Sequence, residues 1–99
     1  MVSLIKDNEY KNYIKEGKVV IDCFANWCGP CKMISPVIDQ LSEEYKETKF
    51  YKIDVDEAQD ITKEYNIMSI PTLLIFENGE LKEKVVGLRS KSELEELIK

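Results

Sequence analysis

Val19-Val20-Ile21-Asp22-Cys23-Phe24 is a nearly continuous apolar run, and after three intervening residues it is followed by Cys28-Gly29-Pro30-Cys31. Such a run suits a strand buried on both faces, with helices covering each side. Beyond the second cysteine, Ile34, Val37, Ile38, Leu41 and Tyr45 recur at spacings of three and four, which predicts a helix with one apolar stripe. Pro36 falls inside that helix and is expected to kink it, because proline lacks a backbone donor and crowds the preceding turn. The cysteine pair therefore sits where a buried strand hands over to a helix.

The flanking segments extend this pattern in both directions. Val2 to Ile5 is a short apolar stretch that reads as an edge strand. Asp7 or Asn8 is expected to cap a helix carrying Tyr10, Tyr13 and Ile14 on one face, with Gly17 ending it. Phe50 to Val55 alternates as a strand, Ala58 to Tyr65 reads as a short helix, and Thr72 to Phe76 as a second buried strand. Glu77-Asn78-Gly79-Glu80 is an Asn-Gly hairpin signal, so Leu81 to Val86 should run antiparallel to the strand before it. Ser90-Lys91-Ser92-Glu93 is a capping-box pattern opening a last helix, with Leu94, Leu97 and Ile98 inward. The order β-α-β-α-β-α-β-β-α implies an α/β fold with a central mixed β-sheet and helices on both faces. Residues 1–99 form a single domain, since no repeat or linker-like run interrupts them. Periodicity leaves the order of the strands open.

Composition narrows the function. The 14 lysines and arginines face 19 acids, a net charge of −5, and phosphate binding needs a surplus of cations, so nucleic acid is not the expected partner. No stretch approaches the roughly 18 apolar residues of a membrane span, and no membrane association is expected. Met1 to Asp7 shows no basic region leading into an apolar core, so the expected compartment is the reducing cytoplasm. The chain contains no histidine. The commonest general base and the usual imidazole ligand for zinc are both missing.

In a reducing compartment a CxxC is catalytic or metal-binding more often than structural. A zinc site needs about four ligands, and one CxxC, one further cysteine and no histidine do not supply them, so no metal is expected. Cys28 should lie near the N-terminus of the helix that follows it, where unpaired N–H groups and the positive dipole end stabilise a thiolate. Cys31, one turn further in, is close enough to close a disulfide with Cys28 and should be the more buried thiol. Two exchanges follow: Cys28 attacks a disulfide in another protein, and Cys31 then attacks Cys28 to release the reduced product. Cys23 should point to the opposite face of its strand from Asp22 and act as an inert core thiol. Asp22 is the odd residue in its apolar strand. It is either a strand-end carboxylate reaching solvent or a buried carboxyl kept for proton transfer to and from Cys31 through water.

Trp27-Cys28-Gly29-Pro30-Cys31-Lys32 is similar to the active-site motif of the thioredoxin family, for which a CxxC beside a βαβ pattern is the general signature. The resemblance runs over essentially the whole chain. Asp22 stands six residues before Cys28, Pro36 falls where the family's second helix kinks, and Lys52 opens Lys52-Ile53-Asp54-Val55-Asp56. Ile70-Pro71-Thr72 matches the family's cis-proline loop, Gly79 its hairpin glycine and Gly87 the glycine after its last strand.

The resemblance implies a thioredoxin fold with strand order 1-3-2-4-5. It implies a monomeric protein-disulfide reductase contributing to cell redox homeostasis, with Cys28 attacking and Cys31 resolving. Disulfide-containing target proteins and a thioredoxin reductase would be its partners, and it would need no cofactor beyond the redox-active disulfide. Lys52 becomes the electrostatic partner of Asp22. Gly29 and Pro30 tune the redox pair, proline beside the second cysteine going with reducing members and disfavouring an isomerase-type domain. Trp27 would form a flat apolar wall beside the attacking sulfur. Ile70, Pro71 and Gly87 would bind substrate, Ile70 through its main chain. An intact cysteine pair also disfavours a binding module in which redox chemistry is incidental. Two positions depart from the family pattern: Phe24 stands where many members carry a second tryptophan, and Ser69 where glycine or threonine is common.

Overall fold

β2 (Lys18–Phe24) runs through the middle of a five-stranded sheet, and every residue from Val19 to Cys23 is buried. The computed structural model describes residues 1–99. The sheet is completed by β1 (Val2–Leu4), β3 (Lys49–Asp54), β4 (Thr72–Glu77) and β5 (Glu80–Val86), in the order β1-β3-β2-β4-β5. β1 and β2 run parallel to β3, whereas β4 is antiparallel to both β2 and β5. This is the order the family resemblance implied.

Strand alternation sorts the core into two layers. Val19, Ile21 and Cys23 pack with Tyr10, Ile14 and Ile61 on the side of α1 (Tyr10–Tyr13) and α3 (Gln59–Glu64). Val20, Leu73 and Ile75 pack with Ile34, Ile38, Leu41 and Leu94 on the side of α2 (Gly29–Glu44) and α4 (Lys91–Ile98). Burying one such aliphatic side chain is worth about 1.5–3 kcal/mol, so both layers contribute heavily to holding β2 in place. α2 runs unbroken through Pro36. Asn78 and Gly79 both take positive φ, 51° and 87°, as a two-residue hairpin of the primed type requires. The capping box at α4 is closed in both directions, Glu93 N to Ser90 Oγ at 3.2 Å and Ser90 N to Glu93 Oε1 at 3.0 Å.

The first helix differs from expectation. α1 is only four residues long, its N-cap is Glu9, and no side chain caps it. Asp7 instead accepts from the backbone N–H groups of Asp60 and Ile61, at 2.8 and 3.0 Å, and so caps α3. Gly17 does not end α1. It lies beyond the C-cap Ile14 and exchanges hydrogen bonds with Asn78, donating to Oδ1 at 2.8 Å and accepting from N at 3.0 Å. Tyr13 lies on the surface, its ring 4.7 Å from that of Tyr51. Each difference is a long-range tie replacing a local one. β3 also continues into an unanticipated 3-10 turn, Val55–Glu57, capped by Asp54 through Asp56 N at 3.0 Å.

Capping of α3 by Asp7 has a measurable consequence. Asp7→Ala removes the acceptor for two backbone donors and should cost about 1–2 kcal/mol of stability. Asn8→Ala, at an exposed position, should change stability by less than about 0.5 kcal/mol. Urea midpoints of the two variants check this, and equal losses would return the cap to α1.

Candidate active site

Cys28 is the N-cap of α2, in extended backbone conformation, and its sulfur accepts a hydrogen bond from Cys31 N at 3.1 Å. The strand before it has ended and the helix after it has begun, so the side chain stands over the open N–H groups of the first turn. Pro30 fits in that turn because its missing N–H would have had no partner within the helix. Cys28 and Cys31 are joined in a disulfide with Cα atoms 5.3 Å apart, inside the usual range of about 4.4–6.8 Å. The expected difference in burial is absent in this oxidised form, since both residues are 4% exposed. Gly29 faces open space, with no atom within 4 Å of where a Cβ would stand.

Three further segments meet the pair. Ile70 packs against Cys28, Cys31 and Ala25, and the Ile70–Pro71 bond is cis. Thr72 Oγ1 donates to Ser69 O at 2.6 Å and Gly87 N to Pro71 O at 2.8 Å, tying this loop to the end of β5. Gly87 takes a φ of 89° there, a conformation that a side chain would strain. Trp27 is 70% exposed, and its indole Nε1 donates to Asp56 Oδ2 at 2.8 Å. Asp56 is a site neighbour that sequence reasoning missed. Its only signal was its place in the segment Lys52 to Asp56, just past the strand beside β2.

Asp22 is 4% exposed, which removes the reading of a strand-end carboxylate in solvent. It shares its strand face with Val20 and so points toward α2. Its Oδ1 has no hydrogen-bond partner. The carboxyl borders a cavity of about 150 Å³ also lined by Cys31, Ser35, Lys52, Lys32 and Asn26. Burial pushes its pKa up to about 7, Lys52 pulling it down and Asp39 adding to the rise. Lys52 stands opposite Asp22 in the β2–β3 register but leaves Oδ1 unbonded. Its ammonium lies 5.8 Å from the centre of the Phe24 ring, within cation–π range. Lys52 therefore acts on Asp22 through space.

Cys23 is fully buried on the other face, and burial, with a contribution from the neighbouring Asp22, pushes its thiol up. No group of three or more histidine, cysteine or acidic residues is placed to hold a metal ion. No helix is long and apolar enough to cross a membrane. A larger open cleft of about 630 Å³, bordered by Leu4, Asp7, Asp54 and Glu57, contains none of the cysteines.

Comparison with known proteins points the same way. A family model described as thioredoxin matches residues 1–99. Thioredoxin of Listeria monocytogenes is 44% identical over 99 residues, covering 99% of this chain and 96% of that protein. Thioredoxin of Bacillus subtilis is 46% identical over 93 residues, covering 93% and 89%. Among solved structures, one described as the structural basis of the thiol resolving mechanism in yeast mitochondrial 1-Cys peroxiredoxin via glutathione/thioredoxin systems contains a similar chain. That chain superimposes with a TM-score of 0.89 at 37% identity, covering 98% of this chain and 92% of its own length.

The raised Asp22 pKa ties stability to pH. Below about pH 4 both folded and unfolded states hold the proton, the unfolded carboxyl titrating near 3.9. Between there and about 7 the unfolded chain has released it while the native state keeps it. Stability therefore falls as pH rises through that window and levels off above it. A shift of this size corresponds to a cost on the order of 4 kcal/mol above pH 7. Asp22→Asn cannot ionise, so it should exceed the wild type in stability by a few kcal/mol at pH 8 and match it near pH 4. Chemical denaturation at both pH values checks this; a gain equal at the two would mean that Asp22 does not titrate with a raised pKa. Cys23, buried and hard to ionise, should label slowly with a thiol reagent in folded Cys28→Ser protein, at the rate of global opening.

Proposed function

The chain belongs to the thioredoxin family, and on that premise we propose that Cys28 is the attacking and Cys31 the resolving sulfur of a protein-disulfide reductase. In the reduced protein the Cys28 thiolate attacks one sulfur of a target disulfide. The target S–S bond breaks, its second sulfur leaves with the electron pair, and a mixed disulfide forms. Cys31 then gives up its proton and attacks Cys28. The Cys28–Cys31 bond closes and the target leaves fully reduced. The observation that carries this reading is the Cys28 sulfur placed over the first turn of α2 and bonded to Cys31. The same N–H groups stabilise a thiolate at that position.

Asp22 takes the Cys31 proton. A carboxyl titrating near neutral pH suits a group that must both accept and return a proton. Lys52 assists by favouring the charged carboxylate through space. Trp27, Ile70, Pro71 and Gly87 form the docking face for an extended target segment, Ile70 pairing through its main chain. Exposed Met33, Met68 and Leu88 lie within two residues of Cys31, Ile70 and Gly87 and fit the apolar character such a face needs. Gly29 keeps the approach to Cys28 low, and Gly29-Pro30 sets the redox pair toward reduction of targets. The partners are disulfide-containing proteins and, as electron donor, a thioredoxin reductase. The protein works as a monomer in the cytoplasm, with no cofactor beyond its own disulfide.

The two cysteines should fail differently. Cys28→Ser should bring insulin reduction down to the uncatalysed rate and leave no adduct. Cys31→Ser should still attack and should accumulate covalent complexes with target proteins, visible on a non-reducing gel and lost on adding dithiothreitol. Complexes trapped by Cys28→Ser but not by Cys31→Ser would exchange the two roles.

A further inference from the structure

Ser35 lies four residues after Cys31 in α2 and therefore on the same helix face. A serine inside a helix ordinarily bonds back to a carbonyl of the preceding turn or faces solvent. Ser42 in the same helix does the first, donating to Asp39 O at 2.7 Å. Ser35 has no such partner, is half-buried, and opens on the cavity that holds Asp22 and Cys31. The unbonded Oδ1 of Asp22 belongs to the same space. At about 150 Å³ the cavity is roomy enough for several waters, each needing on the order of 10–15 Å³ of such volume and two to four polar partners. The charged and titratable groups around the carboxyl are Lys52 from β3 and Cys31, Lys32 and Asp39 from α2, while β4 presents Leu73.

We propose that Ser35 is a positioning residue for proton transfer, its hydroxyl holding the water that links the Asp22 carboxyl to the Cys31 sulfur. The proposal rests on the reading of Asp22 as proton acceptor. In the resolving step the Cys31 proton passes to the water and a water proton passes to Asp22 Oδ1. The Cys31 sulfur, now a thiolate, forms the bond to Cys28 Sγ as the Cys28–target bond breaks and the electron pair leaves on the target sulfur. Ser35 donates to or accepts from the water and exchanges no proton itself. Near neutral pH, where the carboxyl is partly ionised, holding the water in place raises the rate of this step alone.

The two exchanges separate when the reduced protein is mixed with an equimolar aromatic disulfide dye. One coloured thiolate is released when Cys28 attacks and a second when Cys31 resolves. Ser35→Ala should leave the first release unchanged and slow the second about fivefold near neutral pH, as expected for one lost hydrogen bond. The pH midpoint of the second release should move upward, and Ser35→Thr, which keeps the hydroxyl, should restore both rate and midpoint. In an Asp22→Asn background the Ser35→Ala change should add nothing. Slowing of both releases, or an undiminished effect in the Asp22→Asn background, would overturn the proposal as would failure of Ser35→Thr to rescue. If Asp22→Asn slows the second release and Ser35→Ala does not, Ser35 alone loses its role. If Asp22→Asn leaves the second release at the wild-type rate, the Asp22 reading falls and this one falls with it.

Discussion

Burial of β2 on both faces leaves each residue from Val19 to Cys23 only two directions to point, into the layer under α1 and α3 or into the layer under α2 and α4. Neither layer contains bulk solvent, so a polar side chain on this strand meets a desolvation cost whichever way it faces. Asp22 falls on the α2 side, one strand position from Cys23 on the other. The period of two thus separates the carboxyl that borders the cavity beside Cys31 from the thiol buried in the opposite layer. The end of the same strand sets the position of Cys28. Where β2 stops, the chain turns into α2, and the residue at the turn becomes the helix N-cap.

Two opposing effects meet at Asp22. Desolvation favours the neutral acid and the Lys52 ammonium favours the carboxylate, and the pKa near 7 shows that desolvation prevails. Had Lys52 closed a direct ion pair, the carboxyl would stay ionised across the neutral range. Its position over the Phe24 ring keeps the attraction partial. In a chain without histidine, a carboxyl held in this balance titrates in the range where an imidazole ordinarily does. The stability forgone at alkaline pH is the physical counterpart of that tuning.

The rim of the site has a different origin. Trp27, Ile70 and Gly87 come from three separate connections, and each is held by a bond to a distant part of the chain or by packing on the cysteines. Asp56 orients the Trp27 indole from the far end of β3, and Asp54 in turn fixes the 3-10 turn that carries Asp56. Loops positioned by a rigid sheet can keep an apolar side chain such as Trp27 exposed without its collapsing onto the core.

By itself the sequence determined the elements whose patterns are local. The apolar run of β2, the three-four stripe of α2, the Asn78-Gly79 turn and the Ser90–Glu93 capping box are relations between residues no more than a few positions apart, and short-range sterics and hydrogen bonding enforce them wherever the chain goes. The Cys28–Cys31 pair was readable for the same reason, its geometry being set within one helical turn. Only the tertiary structure decided that Asp7 caps α3 and not α1, that Gly17 braces the Asn78 hairpin, that Trp27 bonds Asp56, and that Lys52 leaves Asp22 without a direct partner. The bonds among these join residues 29 to 61 positions apart. No periodicity records them, because they exist only after burial of the two core layers has brought those segments together.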